Sequence, residues 1–133
     1  MFEEINHTAD LAIKIVSDNI NDLFKEAGYG LFFLMYRKKF KKKIDRHIVN
    51  LSSNNYETLL IDFLNELIYL NDSKDFVLTD CDIKLENSYK LKAVAKGFNN
   101  GNPPLNSIKA ATYHNLKIKK DNLKYSTVIT FDI

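Results

Sequence analysis

The stretch from Leu59 to Leu70 reads Leu-Leu-Ile-Asp-Phe-Leu-Asn-Glu-Leu-Ile-Tyr-Leu and has the clearest periodicity in the chain. Its apolar residues recur at spacings of three and four, which places them on one face of an α-helix. The residues of that face are Leu60, Phe63, Leu64, Leu67 and Ile68. Asn54 precedes the stretch, and Glu57 follows three residues later, as in a capping box. We therefore predict an amphipathic helix that is capped by Asn54.

A second segment with helical periodicity lies nearer the start of the chain. Its apolar residues also recur at spacings of three and four. They are Ile20, Leu23, Phe24, Ala27, Leu31, Leu34 and Met35. The spacing predicts a second amphipathic helix.

Three other regions alternate between apolar and polar positions, as half-buried β-strands do. The alternating positions are Leu11, Ile13 and Ile15, then Ile83, Leu85, Leu91 and Ala93, and finally Val128, Thr130 and Asp132. Asn87 and Ser88 form a turn signal in the middle region, and residues 99–104 are also dense in turn formers. Such turns favour antiparallel neighbours. We predict an α+β fold in which two amphipathic helices pack on an antiparallel-rich β-sheet.

The composition is that of one globular domain. The chain has 133 residues, of which 45% are apolar and 27% charged, and its formal net charge is +2. This composition excludes a disordered or fibrous protein. The length predicts a single domain over residues 1–133. Its longest apolar runs are too short to cross a bilayer, so we predict no membrane association. The acidic opening does not resemble a secretory signal and predicts a cytoplasmic protein. Cys81 is the only cysteine, which excludes an internal disulfide and a multi-cysteine zinc site.

Carboxylates lie near both ends of the chain. Asp10 closes the segment His7-Thr8-Ala9-Asp10, and Asp132 precedes Ile133, whose α-carboxylate adds a further oxygen donor. If the fold brings Asp10 to this end, three carboxylates converge and require a hard cation such as Ca²⁺ or Mg²⁺. The residues alone favour a hydrogen-bonded turn at Asp10 and a frayed, solvated terminus at Asp132.

Three further groups of residues could carry chemistry. Lys109 stands among small and apolar residues in the segment 108–114. It could pair with a phosphate or an acidic group of a partner, or it could be a solvated surface lysine. Residues 37–43 hold six basic side chains in seven positions, which would attract RNA or act as a solvated connection. Asp62 and Glu66 share a helical face, either as a carboxylate pair or as a solvated polar surface.

Four segments together resemble the archease family. They are His7-Thr8-Ala9-Asp10, the helical stretch 59–70, the segment 108–114 and the closing pair Asp132-Ile133, in that order along nearly the whole chain. The sequence has no Walker-type loop, GxGxxG, HExxH or Gly-x-Ser-x-Gly motif that would favour another class. The loop before Lys109 is uncharged in this chain, whereas acidic residues and a histidine are common there in the family.

The resemblance implies an accessory protein, not an enzyme. Archeases activate an RtcB-type RNA ligase in tRNA splicing and RNA repair, promoting guanylylation of the ligase and its multiple turnover. The family's metal ligands fall here on Asp10, Asp132 and Ile133, with Ca²⁺ the expected divalent metal and Mg²⁺ or Mn²⁺ as alternatives. The family's functional lysine falls on Lys109, and His7 is a neighbour of that site.

Two other functions stay open from the residues themselves. The basic run 37–43 is compatible with a general RNA-binding or chaperone-like module that contacts RNA or tRNA without a metal. A hydrolase that uses Asp62 and Glu66 has less support, because no motif supplies a nucleophile or an acid–base pair.

Overall fold

The computed structural model describes residues 1–5 and 10–133, and in these residues it contains two helices and eight strands. The elements are β1 (Phe2–Ile5), β2 (Leu11–Ser17), α1 (Ile20–Tyr36), β3 (Asp45–Ser52), α2 (Tyr56–Lys74), β4 (Phe76–Glu86), β5 (Lys90–Asn99), β6 (Ala110–Thr112), β7 (Lys119–Asp121) and β8 (Lys124–Asp132). All strand pairs are antiparallel, which confirms the predicted α+β fold. In the described part of the chain, neither helix is apolar enough over a sufficient length to span a membrane.

Helix α1 contains every residue of the face predicted for it, and its two ends are closed by local hydrogen bonds. At the start, the side chain of Asn19 accepts a hydrogen bond of 2.8 Å from the Asp22 N–H. At the end, Arg37 adopts a left-handed conformation with φ 59° and donates its backbone N–H to the Phe33 carbonyl at 2.8 Å. The left-handed residue stops the helix and turns the chain toward the basic run.

Helix α2 confirms the predicted helix but corrects its cap. The N-cap is Asn55 and not Asn54, because the Asn55 side chain accepts a hydrogen bond of 2.7 Å from the Thr58 N–H. Glu57 does not complete a capping box. Its carboxylate instead accepts a hydrogen bond of 3.1 Å from the Ile118 N–H, which ties the first turn of α2 to the segment before β7.

The strands form two separate sheets. The first, sheet A, has the order β1-β2-β8-β6, with β7 also pairing with β8. The second, sheet B, has the order β3-β5-β4. The turn predicted at Asn87 and Ser88 joins β4 to β5, with Ser88 and Tyr89 at positive φ. β8 confirms the predicted strand, but its burial alternates only in part: Thr127, Ile129, Thr130 and Phe131 are buried, whereas Val128 and Asp132 are exposed.

Both helices and both sheets share one cluster of buried apolar side chains. Phe24 and Phe63 bring α1 and α2 together with ring centroids 6.1 Å apart, and both rings are fully buried. Ile13 and Phe131 add the inner side of sheet A, and Phe76 adds that of sheet B. Each such side chain contributes about 1.5–3 kcal/mol by burial.

Cys81 is buried in β4. Burial raises the pKa of its thiol to about 12; the charge of Lys25 lowers this pKa by a smaller amount, and that of Asp82 raises it further. The group therefore stays protonated and unreactive in the native state at neutral pH.

Gly97 is the position in sheet B where a side chain cannot be accommodated. It lies in the central strand β5, and a Cβ there would overlap the backbone carbonyl of Val77. Gly101 offers a matched control, because a Cβ there meets nothing within 4 Å. We expect Gly97→Ala to lower the free energy of unfolding by at least about 3 kcal/mol, while Gly101→Ala changes it by less than about 0.5 kcal/mol. Urea denaturation measures both, and equal stabilities would contradict this packing.

Candidate functional site

The register of sheet A brings together residues from the two ends of the chain. Leu11 pairs with Phe131, so Asp10 and Asp132 each lie one residue beyond the same cross-strand pair. On the other side of β8, Asp132 pairs with Ala110 in β6. Directly opposite residues in such strands have Cβ atoms about 5 Å apart. Three of the four predicted site residues, Asp10, Asp132 and Ile133, are therefore neighbours at one end of sheet A.

Lys109, the fourth predicted residue, is held at the same end by its backbone. Its N–H donates a hydrogen bond of 2.8 Å to the Asp132 carbonyl, and its side chain is exposed. The preceding residue Ile108 is buried, which fixes the chain on the core. The segment 108–114 thus enters strand β6.

The loop before Lys109 is anchored to the end of helix α1. The backbone N–H of Asn106 donates to the Met35 carbonyl at 3.0 Å, and its side-chain amide donates to the Leu34 carbonyl at 2.8 Å. Carbonyl groups in the last turn of a helix have no partner within the helix, so Asn106 satisfies two of them. The position of Lys109 therefore depends on this cap, which sequence reasoning did not identify.

Asn65 in α2 supports strand β6 from its free edge. Its side-chain oxygen accepts a hydrogen bond of 2.8 Å from the Ala111 N–H, and its amide donates to the Ala111 carbonyl at 3.4 Å. The side chain thereby replaces the neighbouring strand that β6 lacks on this side. Asn65 lies on α2 between Asp62 and Glu66, and no sequence pattern distinguishes it from a solvated polar residue.

Asp62 also has a structural partner. Its carboxylate accepts a hydrogen bond of 3.1 Å from the Tyr113 hydroxyl, just beyond the end of β6. Burial and this carboxylate both raise the pKa of Tyr113. This hydrogen bond connects the end of β6 to α2.

The carboxylate groups at this end of sheet A are of the chemical type that binds a hard cation. Asp10, Asp132 and the Ile133 main-chain carboxylate offer only oxygen atoms, the ligands that Ca²⁺ and Mg²⁺ prefer. Within residues 1–5 and 10–133, the structure assembles no group of three or more His, Cys, Asp or Glu side chains suited to a metal. A site here would need the main-chain carboxylate as its third donor. His7 lies outside the described residues.

The basic run 37–43 lies along the surface between α1 and β4 and is exposed except at Phe40. Arg37 pairs with Glu4 in β1, and Lys43 pairs with Asp80 in β4 at 3.1 Å. The Thr79 hydroxyl donates to the Lys42 carbonyl at 2.7 Å and fixes the backbone of the run. The run is thus a docked segment rather than a loose connection.

Asp80 is the acidic anchor of this region. Burial alone would raise the pKa of its carboxyl, but hydrogen bonds from Lys43, Tyr29 and the Cys81 N–H lower it overall. Asp80 is thus ionised at neutral pH and holds the end of the basic run against sheet B.

Comparison with known proteins identifies the family to which the chain belongs. The model of the Archease protein family (MTH1598/TM1083) matches residues 2–133. The chain belongs to the archease family. It is 34% identical over 126 residues to the Protein archease of Thermococcus kodakarensis, covering 90% of this chain and 88% of that one. It is 32% identical over 125 residues to the Protein archease of Pyrococcus abyssi, with the same coverage.

Two solved structures resemble this archease in fold. The solution structure of Methanobacterium thermoautotrophicum protein 1598 has a TM-score of 0.82 at 20% identity, covering 99% of this chain and 98% of that one. The crystal structure of an archease from Thermotoga maritima, described as a possible chaperone, has a TM-score of 0.68 at 26% identity, covering 98% and 96%. The order of strands and helices seen here is therefore an archease fold.

Replacing Asn65 tests the support of β6 in this archease. Asn65→Ala leaves the Ala111 N–H without its partner, so we expect a loss of about 1–3 kcal/mol in the free energy of unfolding. Amide hydrogen exchange at Ala111 should accelerate more than at residues in β5. Asp62→Asn keeps an oxygen that accepts from Tyr113 and serves as the control, with a loss below about 1 kcal/mol. Unchanged exchange at Ala111 in Asn65→Ala would contradict the proposed support.

Proposed function

We propose that this archease is an accessory protein that activates an RtcB-type RNA ligase in the cytoplasm, in tRNA splicing and RNA repair, by promoting ligase guanylylation and multiple turnover. The observation that supports the proposal is the convergence of Asp10, Lys109, Asp132 and Ile133 at one end of sheet A, from positions far apart in the sequence. Family membership supplies the partner, and the geometry supplies a charged surface that could meet it.

Asp10, Asp132 and the main-chain carboxylate of Ile133 are the proposed ligands of a divalent metal, with Ca²⁺ favoured over Mg²⁺ and Mn²⁺. Asp10 and Asp132 lie one residue beyond the pair of Leu11 with Phe131, so their carboxylates would be close enough to hold one divalent cation between them. The metal would neutralise carboxylates that otherwise repel one another and could offer its remaining coordination positions to a partner's oxygen atoms. The carboxylates bind and orient it.

Lys109 is the proposed functional residue that acts on the ligase. Its backbone is fixed by Asp132 and by the buried Ile108, so its exposed side chain starts from a rigid base beside the carboxylates. An ammonium group there can pair with a phosphate or a carboxylate of the partner. Rigid support beneath an exposed charge is what a surface that positions groups of another protein needs.

The function is tested by RNA ligation under multiple turnover with a purified RtcB-type ligase. Wild-type protein should stimulate ligation, and Asp10→Ala should abolish most of the stimulation while keeping the native circular-dichroism spectrum. Asp121→Ala removes the same charge from β7, outside the proposed ligand set, and should stimulate like wild type. Full stimulation by Asp10→Ala would refute the carboxylate mechanism, and no stimulation by wild type of a cognate ligase would refute the activator function.

The metal site has a test that does not use the ligase. Calorimetric titration with Ca²⁺ should show one site, and Asp132→Asn should weaken binding at least about tenfold because it removes one negative ligand. Asp121→Asn should leave the affinity unchanged. Lys109→Ala should preserve Ca²⁺ binding and lose stimulation, whereas Lys119→Ala should keep both. If Asp132→Asn bound Ca²⁺ as tightly as wild type, Asp132 would not be a ligand.

A second function is supported by a separate surface. The exposed basic run 37–43 favours contact with RNA or tRNA, as part of a general RNA-binding or chaperone-like role that needs no metal. The description of the Thermotoga maritima protein as a possible chaperone is compatible with this role. The two functions differ in their requirements, because only the first depends on Asp10.

A further inference from the structure

A cavity of about 190 Å³ opens beside the basic run. Four separate parts of the chain contribute to it: β1, helix α1, the basic run and β4. It lies apart from the carboxylates at the end of sheet A, and none of Asp10, Lys109, Asp132 and Ile133 lines it. The proposed activator function does not use it.

The walls of the cavity are mainly aromatic. Phe2 and Phe33 lie with ring centroids 5.7 Å apart and tilted by 49°, and both are half-buried. Phe40 from the basic run and Tyr29 from α1 complete the walls. Aromatic rings that stay partly exposed in a concave site offer faces on which a planar group can stack.

The rim of the cavity carries charges of both signs in distinct places. Lys38 and Lys39 line it, with their ammonium groups 4.8 Å from the centre of the Phe40 ring and 6.0 Å from that of the Phe2 ring. Glu26 lines another part, where the Met1 amino group lies 3.4 Å from its carboxylate. Two exposed lysines beside aromatic rings are complementary to a ligand that joins an anionic group to a planar one.

We propose that this cavity binds one unpaired nucleotide of a single-stranded RNA, with the base against Phe2 and Phe33 and its phosphate against Lys38 and Lys39. The inference rests on the proposed RNA contact of the basic run and makes it specific. A positively charged groove with aromatic rings is the general design of single-strand binding sites, in which each stacked base adds affinity.

The size and polarity of the cavity favour a nucleotide over a larger apolar ligand. Pockets for drug-sized molecules enclose about 300–1,000 Å³, whereas this cavity is smaller and suits a single flat ring system. The Glu26 carboxylate already lies 3.4 Å from the Met1 amino group, and every base can stack on an aromatic ring. We therefore expect little preference among the four bases.

The experiment compares two double variants of the same basic run by fluorescence anisotropy with a labelled, unstructured ten-nucleotide RNA of adenine and cytosine. Lys38→Ser/Lys39→Ser removes the two lysines of the cavity. Lys41→Ser/Lys42→Ser removes the same charge from the same run but from residues that do not line it. We expect the first variant to lose at least about fivefold more affinity than the second at equal salt concentration.

A duplex of the same length separates stacking from charge. A duplex has about twice the phosphates, so attraction by charge alone predicts binding at least as tight as that of the single strand. A site for an unpaired base predicts weaker binding, because paired bases are not available to the rings. Phe33→Leu keeps an apolar side chain but removes the ring, and it should weaken single-strand binding about tenfold without affecting the duplex. Its melting temperature shows whether it remains folded.

Nucleoside monophosphates test the cavity in the wild-type protein. Titration with adenosine monophosphate should shift the NMR signals of Phe2, Tyr29 and Phe33, and inorganic phosphate at the same concentration should not. Equal losses in the two double variants, or tighter binding of the duplex, would overturn the nucleotide site while leaving a contact by charge. Absence of RNA binding by the wild type would overturn both. None of these measurements uses the ligase, so the activator function stands or falls separately.

Discussion

The pairing of β2 with β8 is the constraint on which the rest of the molecule depends. It places β8 between β2 and β6, inside sheet A. Ile13 pairs with Ile129 and Leu11 with Phe131, so the apolar positions of both strands face the core together. A shift of one residue would turn Phe131 to solvent and bury Asp132, which would cost several kcal/mol. The same register that buries these apolar side chains therefore keeps Asp10 next to Asp132.

This coupling explains why the candidate site can be built from carboxylates. Like charges in proximity oppose folding unless something compensates them. Here the two aspartates are exposed or half-exposed at a sheet end, while the buried Phe131 and Ile108 hold the adjoining backbone. The core provides the free energy that keeps these groups together.

The helices were predictable because their periodicity is strong and local, whereas parts of the sheets were not. Strand β3 was missed because two of its four inward positions, Asp45 and His47, are polar, while Ile48 on the outer side is apolar and 75% exposed. Its burial alternates, but its sequence does not show this. The cap of α2 was misplaced by one residue because two asparagines are adjacent, and only the hydrogen bond to Thr58 distinguishes them. The side chain of Asn65 looks like any polar helix residue until β6 is placed against it.

The site residues were named from resemblance, and their proximity follows from pairings between distant parts of the chain. No local pattern contains the pair of Leu11 with Phe131, because it joins strands at opposite ends of the sequence. The cavity beside the basic run is still less visible in the sequence. Only Lys38, Lys39 and Phe40 mark it there, since Phe2, Tyr29 and Phe33 look like ordinary residues of a strand and a helix.

The end of helix α1 connects the two surfaces. Asn106 binds the carbonyls of Leu34 and Met35, which fixes the loop that leads to Lys109. Arg37, in the left-handed conformation, ends the same helix and begins the basic run that borders the cavity. A few residues at the end of α1 therefore determine the positions of both surfaces. The two surfaces need not touch each other for this. A change in the last turn of α1 would displace both surfaces together, whereas a change at Asp10 or Lys38 would alter only one of them.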